Sequence, residues 1–303
     1  MTSDLVRIAA AAYPLTWFDD FTAYEAKLTS WVAKGAATGA DLLVFPEYGA
    51  MELASLGGAK VAADLQASLL QVAGHRAASD ALHLRLAAQH GIHILGASGP
   101  VFADSSPGKT QIAGSRPVNR ATFFGPNGVI GHQDKQIMTR FEREDWCIRP
   151  GDALRVFNTP LGRIGIIICY DSEFPLLARS LAERGVEILL VPSCTETMAG
   201  FSRVRIGSMA RALESQCVVV QSPLVGLACW CAGVEANRGR AAIYGPPDDG
   251  WPDDGILAQT TMDEAGWAVA DISRALIDQT RRDGGVLNLL HWPEQTDRLA
   301  LGE

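Results

Sequence analysis

Short apolar runs alternate with longer segments of helical periodicity along most of the 303-residue chain. Apolar residues recurring three and four positions apart predict helices over 18–39, 60–90, 175–185 and 203–215, with a short one after Ser273. Continuous apolar runs of strand length are typical of buried strands. They lie at 6–13, 41–47, 92–98, 154–158, 164–168, 185–193, 217–223, 240–244 and 266–272, and 116–135 predicts two strands around a GPNG turn. This alternation predicts an α/β fold built in layers.

No linker-like or low-complexity segment divides the chain, so the pattern indicates a single domain over 1–282. We expect the C-terminal tail, 283–303, to pack on that domain or on a partner subunit. Gly91 stands where a helix should stop, and Pro175 is suited to the first turn of a helix. The long polar interruptions at 103–115 and 245–255 predict surface loops.

Composition excludes several classes of protein. A hydrophobic fraction of 48% and a charged fraction of 20% are typical of a soluble globular protein. The formal net charge of −8 argues against a nucleic-acid partner or an anionic membrane, both of which favour Lys and Arg. The N-terminal segment predicts a first strand rather than a signal peptide. Six cysteines are too sparse for a disulfide scaffold, so we expect reduced thiols and a cytoplasmic protein.

Three residues with catalytic potential each follow an apolar strand, where α/β folds place their sites. They are Glu47 in FPEYG, Lys135 in GHQDKQ and Cys169 in IIICYDSEFP. Taken singly, each has an ordinary explanation as a turn carboxylate, a solvated lysine or a buried structural cysteine. Together they favour nucleophilic catalysis, because a thiol with a pKa of about 8.5 needs a base or a positive field to attack at neutral pH.

These segments resemble the nitrilase superfamily, the carbon–nitrogen hydrolases, whose members carry a Glu, a Lys and a Cys in this order. The resemblance extends over about residues 5–282 and is greatest to the branch often fused to an acetyltransferase domain. Further matching segments are FEREDWCIRPGD (141–152), LVPSCT (190–195) and RVRIGSMARALESQCVVV (203–220). The resemblance implies a four-layer αββα sandwich, a homodimer or larger even-numbered assembly, and no cofactor or metal.

The resemblance also implies hydrolysis of a small amide, or less often a nitrile, with release of ammonia or an amine. Cys169 would attack to form a thioester, and Glu47 would carry the proton in both directions. Lys135 and the backbone N–H of Tyr170 would stabilise the oxyanion, and we expect Lys135 to hold Cys169 as a thiolate. The alternatives are a nitrilase with the same residues and a non-catalytic binding or scaffold protein on the same fold.

A fourth site residue is expected in FEREDW. Relatives place a carboxylate about six residues before a Pro-Gly pair, which here favours Glu144 over Glu142. Glu142 is the alternative. A surface ion pair with Arg140 or Arg143 would be the ordinary explanation for either glutamate, and it fits Glu142 better.

Weaker candidates surround this set. Tyr48, Glu173 and Thr195 are expected near the substrate, although Glu173, like Asp171, is predicted chiefly to support the structure. Cys229 and Cys231 are spaced C-x-C with no histidine nearby, which does not predict a zinc site.

Overall fold

The computed structural model describes residues 4–102 and 115–299. The loop expected at 103–115 therefore lies, apart from Ser115, outside the described residues. The described strands, labelled in chain order, are β1 (Leu5–Pro14), β2 (Leu42–Val44), β3 (His93–Leu95), β4 (Gly99–Val101), β5 (Val118–Gly125), β6 (Gly128–Asp134), β7 (Val156–Thr159), β8 (Gly162–Ile166), β9 (Ile188–Ser193), β10 (Val218–Leu227), β11 (Ala236–Asn237), β12 (Ala242–Tyr244), β13 (Ile256–Gln259) and β14 (Gly266–Ser273).

The described helices are α1 (Phe21–Ala36), α2 (Ala59–Ala62), α3 (Leu65–Gly74), α4 (Arg76–His90), α5 (Arg140–Glu144), α6 (Pro175–Ala182), α7 (Met198–Ser215), α8 (Arg274–Asp283) and α9 (Asn288–His291). Short 3-10 helices cover Gly49–Gly57, Cys169–Glu173 and Trp292–Arg298. None of these described helices combines the length and apolarity that crossing a membrane requires.

The strands form two sheets that meet where the end of β1 pairs in parallel with β10. One sheet contains β14, β1, β2, β3, β5 and β4, with β6 hydrogen-bonded to β5. The other contains β7, β8, β9, β10, β12 and β13, with β11 hydrogen-bonded to β10. Side chains alternate along β1, so that Ile8 and Ala10 enter a core shared with the second sheet. Ala9 and Tyr13 face the opposite way, into a core that includes residues of α1, α3 and α4.

On the far side of the second sheet, Ala178 and Leu181 of α6 and Val204 of α7 complete the core. The layers are therefore helix, sheet, sheet and helix, and the predicted αββα sandwich is confirmed.

Local sequence signals account for most element boundaries. Asp20 caps α1 by accepting the Ala23 N–H at 2.9 Å, so the helix begins later than the expected residue 18. The single helix expected over 60–90 is divided into three, because Asp64 caps a new helix and His75 ends it. Gly91 ends α4 in the left-handed conformation, as its position predicted.

The C-terminal segment packs on the domain. The Arg179 guanidinium lies 4.8 Å from the ring centroid of Trp292 and donates hydrogen bonds to the carbonyl of Leu289. The side chain of Gln216 donates to Val286 O and accepts from Leu289 N–H. Arg179 belongs to α6 and Gln216 follows α7, so the C-terminal segment packs on the helical layer that covers the second sheet.

Candidate active site

Cys169 lies three residues beyond the end of β8 and begins a single 3-10 turn over Cys169–Glu173. Its backbone φ is 51°, in the left-handed region that residues with a Cβ seldom adopt. The side chain is 4% exposed, and its Sγ lies 3.6 Å from the carbonyl oxygen of Cys194, to which it donates. The sharp turn after the strand presents the thiol to a cavity instead of to the sheet.

Asp171 holds this turn in place from a fully buried position. Its carboxylate accepts the backbone N–H of Ile168 at 3.0 Å, of Gln136 at 3.1 Å and of Ile137 at 2.8 Å. The same side chain therefore joins the approach to Cys169 to the loop that follows Lys135. This geometry is the structural support that the sequence predicted for Asp171.

Lys135 lies at the centre of a buried charge cluster and is 1% exposed. Its Nζ donates to Glu47 Oε1 and to Glu142 Oε2, each at 2.7 Å. Burial by itself lowers the lysine pKa, but the neighbouring anions, Glu142 before Glu47, raise that pKa well above its ordinary value. The side chain is an ammonium at physiological pH.

The expectation that Glu144 is the fourth residue of the site is wrong, because Glu142 lies there instead. Glu144 is exposed and forms an ion pair with Arg140 at 2.8 Å, with 57% of its side chain accessible. Glu142, expected on the surface, is 3% exposed and contacts Lys135. The physical reason is the capping box at Thr139: the side chain of Glu142 turns back to accept the Thr139 N–H and hydroxyl, each at 2.9 Å, which points it inward.

Tyr48 completes the environment of Glu142 by donating its hydroxyl to Oε1 at 2.7 Å. Burial raises the pKa of Glu142, but Lys135 and the donors Tyr48 and Thr139 outweigh burial, and the net pKa lies below its usual value. Glu142 is therefore ionised at neutral pH, and its charge neutralises and orients Lys135.

Glu47 is the second carboxylate on Lys135 and is 1% exposed. Burial raises its pKa to about 7, despite the opposing effect of Lys135. Asn119 Nδ2 also donates to Glu47 Oε1, at 3.0 Å. A carboxylate with a pKa near neutrality is suited to both accepting and returning a proton.

The thiol itself differs from the expectation of a resting thiolate. Burial raises the pKa of Cys169 well above its ordinary value, and Glu47 adds to this effect while Lys135 opposes it. Lys135 is already neutralised by two carboxylates, so little of its field is left to stabilise a sulfur anion. In the unliganded protein Cys169 is a neutral thiol, and its deprotonation has to accompany attack.

The cavity in front of the thiol has a volume of about 600 Å³. The residues predicted near the substrate, namely Tyr48, Tyr170, Glu173 and Thr195, all line it. Glu173 is partly buried and lies 3.5 Å from Arg203, and the exposed carboxylates Glu196 and Glu235 lie at the rim. The expected oxyanion donor, the backbone N–H of Tyr170, follows Cys169 directly.

Two residues of the site were not predicted from the sequence. Asn119 is a fully buried polar residue in the largely buried strand β5, and a buried amide requires a hydrogen-bond partner nearby. Trp146 forms a wall of the cavity and packs on Tyr48 with ring centroids 4.6 Å apart.

One cluster elsewhere has the composition of a metal site. His132, Asp134 and Asp152 bring potential ligand atoms within 4.8 Å of one another. Asp134 is already bound by both nitrogens of an Arg120 fork, at 2.6 and 2.9 Å. The cluster is accordingly explained as an ion-pair network, and it lies outside the cavity lining.

The model of the carbon–nitrogen hydrolase family matches residues 7–282. The chain therefore belongs to this family, the nitrilase superfamily. It is 30% identical over 284 residues to a probable hydrolase, YhcX, of Bacillus subtilis, covering 94% of this chain and 53% of that protein. The chain thus spans about half the length of that relative.

Solved structures share the fold. Saccharomyces cerevisiae Nit3, of branch 10 of the nitrilase superfamily, is 19% identical with a TM-score of 0.70, over 93% of this chain and 94% of that one. A mutant of the amidase from Nesterenkonia sp. AN1, in complex with butyramide, is 20% identical with a TM-score of 0.67, over 98% of this chain and 97% of that one. At these identities the likeness concerns the fold.

Proposed function

We propose that this domain hydrolyses the carbon–nitrogen bond of a small, non-peptide amide through a thioester on Cys169, releasing ammonia or an amine. The observation that carries the proposal is the juxtaposition of three features at one cavity: a thiol at a strained turn, a carboxylate with a pKa near 7, and a buried ammonium between two carboxylates. The butyramide bound to the Nesterenkonia amidase supports a small amide as the substrate class.

In the first step, Cys169 Sγ attacks the amide carbon while its proton passes to Glu47. In the resting site the thiol donates to Cys194 O and also lies within hydrogen-bonding reach of the Glu47 carboxylate, which gives its proton a direct acceptor. Negative charge then develops on the carbonyl oxygen. Lys135 Nζ and the backbone N–H of Tyr170 are the proposed donors to this oxyanion, and one such donor typically contributes about 10²–10³ in rate.

In the second step, the carbon–nitrogen bond breaks and Glu47 returns the proton to the departing nitrogen, leaving an acyl group on sulfur. Water replaces the amine, and Glu47 takes a proton from it as its oxygen attacks the thioester. The carbon–sulfur bond then breaks, the acid leaves, and the proton on Glu47 returns to the thiolate. One carboxylate performs all transfers, which requires a pKa close to the working pH.

The test is ammonia release from a panel of amides and nitriles of matched chain length, with neutral, cationic and anionic far ends. We expect turnover of at least one amide and a mass increase on the Cys169 peptide equal to the acyl group after rapid acid quench. Cys169→Ala should abolish both signals. Turnover of nitriles alone would assign the nitrilase alternative, and an absence of turnover and adduct across the panel would favour the scaffold alternative.

A further inference from the structure

The two oxygens of Glu47 have different surroundings. Oε1 accepts two hydrogen bonds, from Lys135 Nζ at 2.7 Å and from Asn119 Nδ2 at 3.0 Å. Within the described part of the chain, no nitrogen or hydroxyl donor reaches Oε2. One oxygen is thus fixed by two N–H donors, and the other remains for the thiol or for water.

Asn119 also contacts Lys135 through its main chain. Its carbonyl accepts the Lys135 backbone N–H at 2.9 Å, immediately after β6 ends. Asn119 therefore contacts Glu47 through its side-chain amide and the main chain of Lys135 through its own carbonyl. Because Asn119 belongs to a strand and not to a loop, it holds Glu47 and Lys135 at a fixed distance from each other.

The burial of Asn119 makes a purely structural role a poor explanation. The residue is fully buried, and its Oδ1 has no hydrogen-bond partner in the described structure. Burying an amide with an unsatisfied oxygen costs free energy, and an apolar residue of similar size would avoid that cost. The compensating interaction is the hydrogen bond to Glu47, which also dictates the orientation of the amide, because an oxygen facing the carboxylate would repel it.

We propose that Asn119 is a positioning residue for Glu47: it holds Oε1, directs Oε2 toward Cys169, and favours the ionised carboxylate that accepts the thiol proton. The inference rests on the function proposed above for Glu47. It assigns Asn119 no contact with the substrate.

Removing the donor should affect proton transfer more than binding. Asn119→Leu takes away an N–H that binds the ionised carboxylate, so protonation of Glu47 becomes easier and the acid limb of kcat/KM moves to higher pH. A hydrogen bond to a charged group contributes about 1.5–3 kcal/mol, which corresponds to roughly one to two pH units. We expect kcat at pH 7 to fall at least about tenfold, with KM changed less than about threefold. Asn119→Asp keeps the shape of the side chain and should move the limb in the same direction.

Gln221→Leu is the matched control. Gln221 is a second fully buried amide with one side-chain hydrogen bond, from Tyr244 OH at 2.9 Å, and one unsatisfied atom, Nε2. It lies on β10 outside the cavity lining. A structural effect of losing a buried amide should appear equally in both variants as a lower melting temperature, whereas only the Asn119 variants should shift the pH limb.

The pH dependence of Cys169 alkylation by iodoacetamide gives a second readout that needs no turnover. In the wild-type protein the rate should fall as Glu47 protonates, and in the Asn119 variants that fall should occur at higher pH. An unshifted limb in folded Asn119→Leu and Asn119→Asp, in both assays, would overturn the inference. If the wild-type protein hydrolyses no amide but its alkylation limb still shifts in the variants, the proposed function fails while the positioning role stands.

Discussion

At the scale of single residues, the hydrogen-bond donors around a buried carboxylate, rather than its residue type or its burial, decide whether it can exchange a proton. Glu47 and Glu142 are both buried glutamates on Lys135, yet the first has a pKa of about 7 and the second has a pKa below its usual value. The difference comes from the additional donors to Glu142, from Tyr48 and Thr139. The first carboxylate can exchange a proton, and the second can only hold the ammonium.

Replacing Glu142 should therefore damage the transition state. Glu142→Gln removes the charge that orients Lys135, and we expect kcat to fall by about 10²-fold or more, equivalent to roughly 2.7 kcal/mol. Glu144→Gln, two residues away, is the control. Its exposed ion pair with Arg140 contributes roughly 0–1 kcal/mol, so kcat should change less than about threefold. Steady-state kinetics of both variants would decide, and the reverse ranking would contradict the assignment.

The pH dependence of the reaction should follow Glu47. A carboxyl whose pKa is raised to about 7 is protonated below that pH and cannot accept the thiol proton. We predict that kcat/KM for a neutral amide falls about tenfold for each pH unit below about 6.5 and levels off above about 7.5. Profiles from pH 5 to pH 9 would test this. A limb near pH 4.5, the ordinary range of a glutamate, would contradict the buried environment of Glu47.

At the scale of secondary-structure elements, the site depends on close packing of helix α7 against the turn at Cys169–Glu173. Gly207 lies in α7 where a Cβ would meet the carbonyl oxygen of Ser172 at 2.8 Å. The opposing atom belongs to the backbone and cannot rotate away. The absence of a side chain at residue 207 therefore lets the helix support the turn that carries the nucleophile.

Gly207→Ala should push the turn away from the helix. We expect a loss of about 1–3 kcal/mol in the free energy of unfolding, as for other overpacked contacts, together with a lower kcat. Gly74→Ala is the control, because nothing lies within 4 Å of the added Cβ at the end of α3. It should be neutral or stabilise the protein by up to about 1 kcal/mol. Denaturant unfolding of both variants checks the prediction. Equal free energies of unfolding would contradict it, because they would show that the turn moves to accommodate the added Cβ with no loss of stability.

At the scale of the whole molecule, one side of the second helical layer exposes apolar side chains. Leu176 of α6, Ile206 and Leu213 of α7 and Leu290 of α9 are 72%, 64%, 40% and 63% exposed. Helix α7 packs against both α6 and α9, so these side chains lie on neighbouring elements. A surface of this kind is typical of an interface between subunits.

The cytoplasmic location stays a prediction, as does the role of the C-terminal tail in assembly.

We predict a dimer or a larger even-numbered assembly formed through this surface, because two-fold symmetry is the commonest arrangement of soluble oligomers. Ile206→Asp should weaken the assembly at least tenfold, since it buries a charge without a partner. Val129→Asp, at an exposed apolar residue of the β5–β6 hairpin, is the control and should leave the mass unchanged. Light scattering at micromolar concentration measures the mass. A monomeric wild-type protein would contradict the prediction.

The sequence by itself predicted most of the elements and the three residues at the centre of the candidate site. Apolar runs specify buried strands, and Glu47, Lys135 and Cys169 each stand just beyond a predicted strand. The structure brings them to one cavity from two sheets, because β2 and β6 lie in one sheet and β8 in the other. The αββα order followed from the resemblance to the nitrilase superfamily. Strands β4, β11 and β13 were not predicted, because strands of two to four residues are too short to show a period and depend on their neighbours for pairing.

Only the tertiary structure decided between Glu142 and Glu144. Two residues apart on helix α5, their side chains point about 200° away from each other, and nothing local says which direction faces the cavity. The neutral state of Cys169 and the contact of Asn119 with Glu47 were likewise undetermined, because both depend on charges and donors brought in from distant segments of the chain. The protonation state of a buried group depends on the charges and donors that the fold places around it, and the periodicity of apolar residues along the chain carries no information about these.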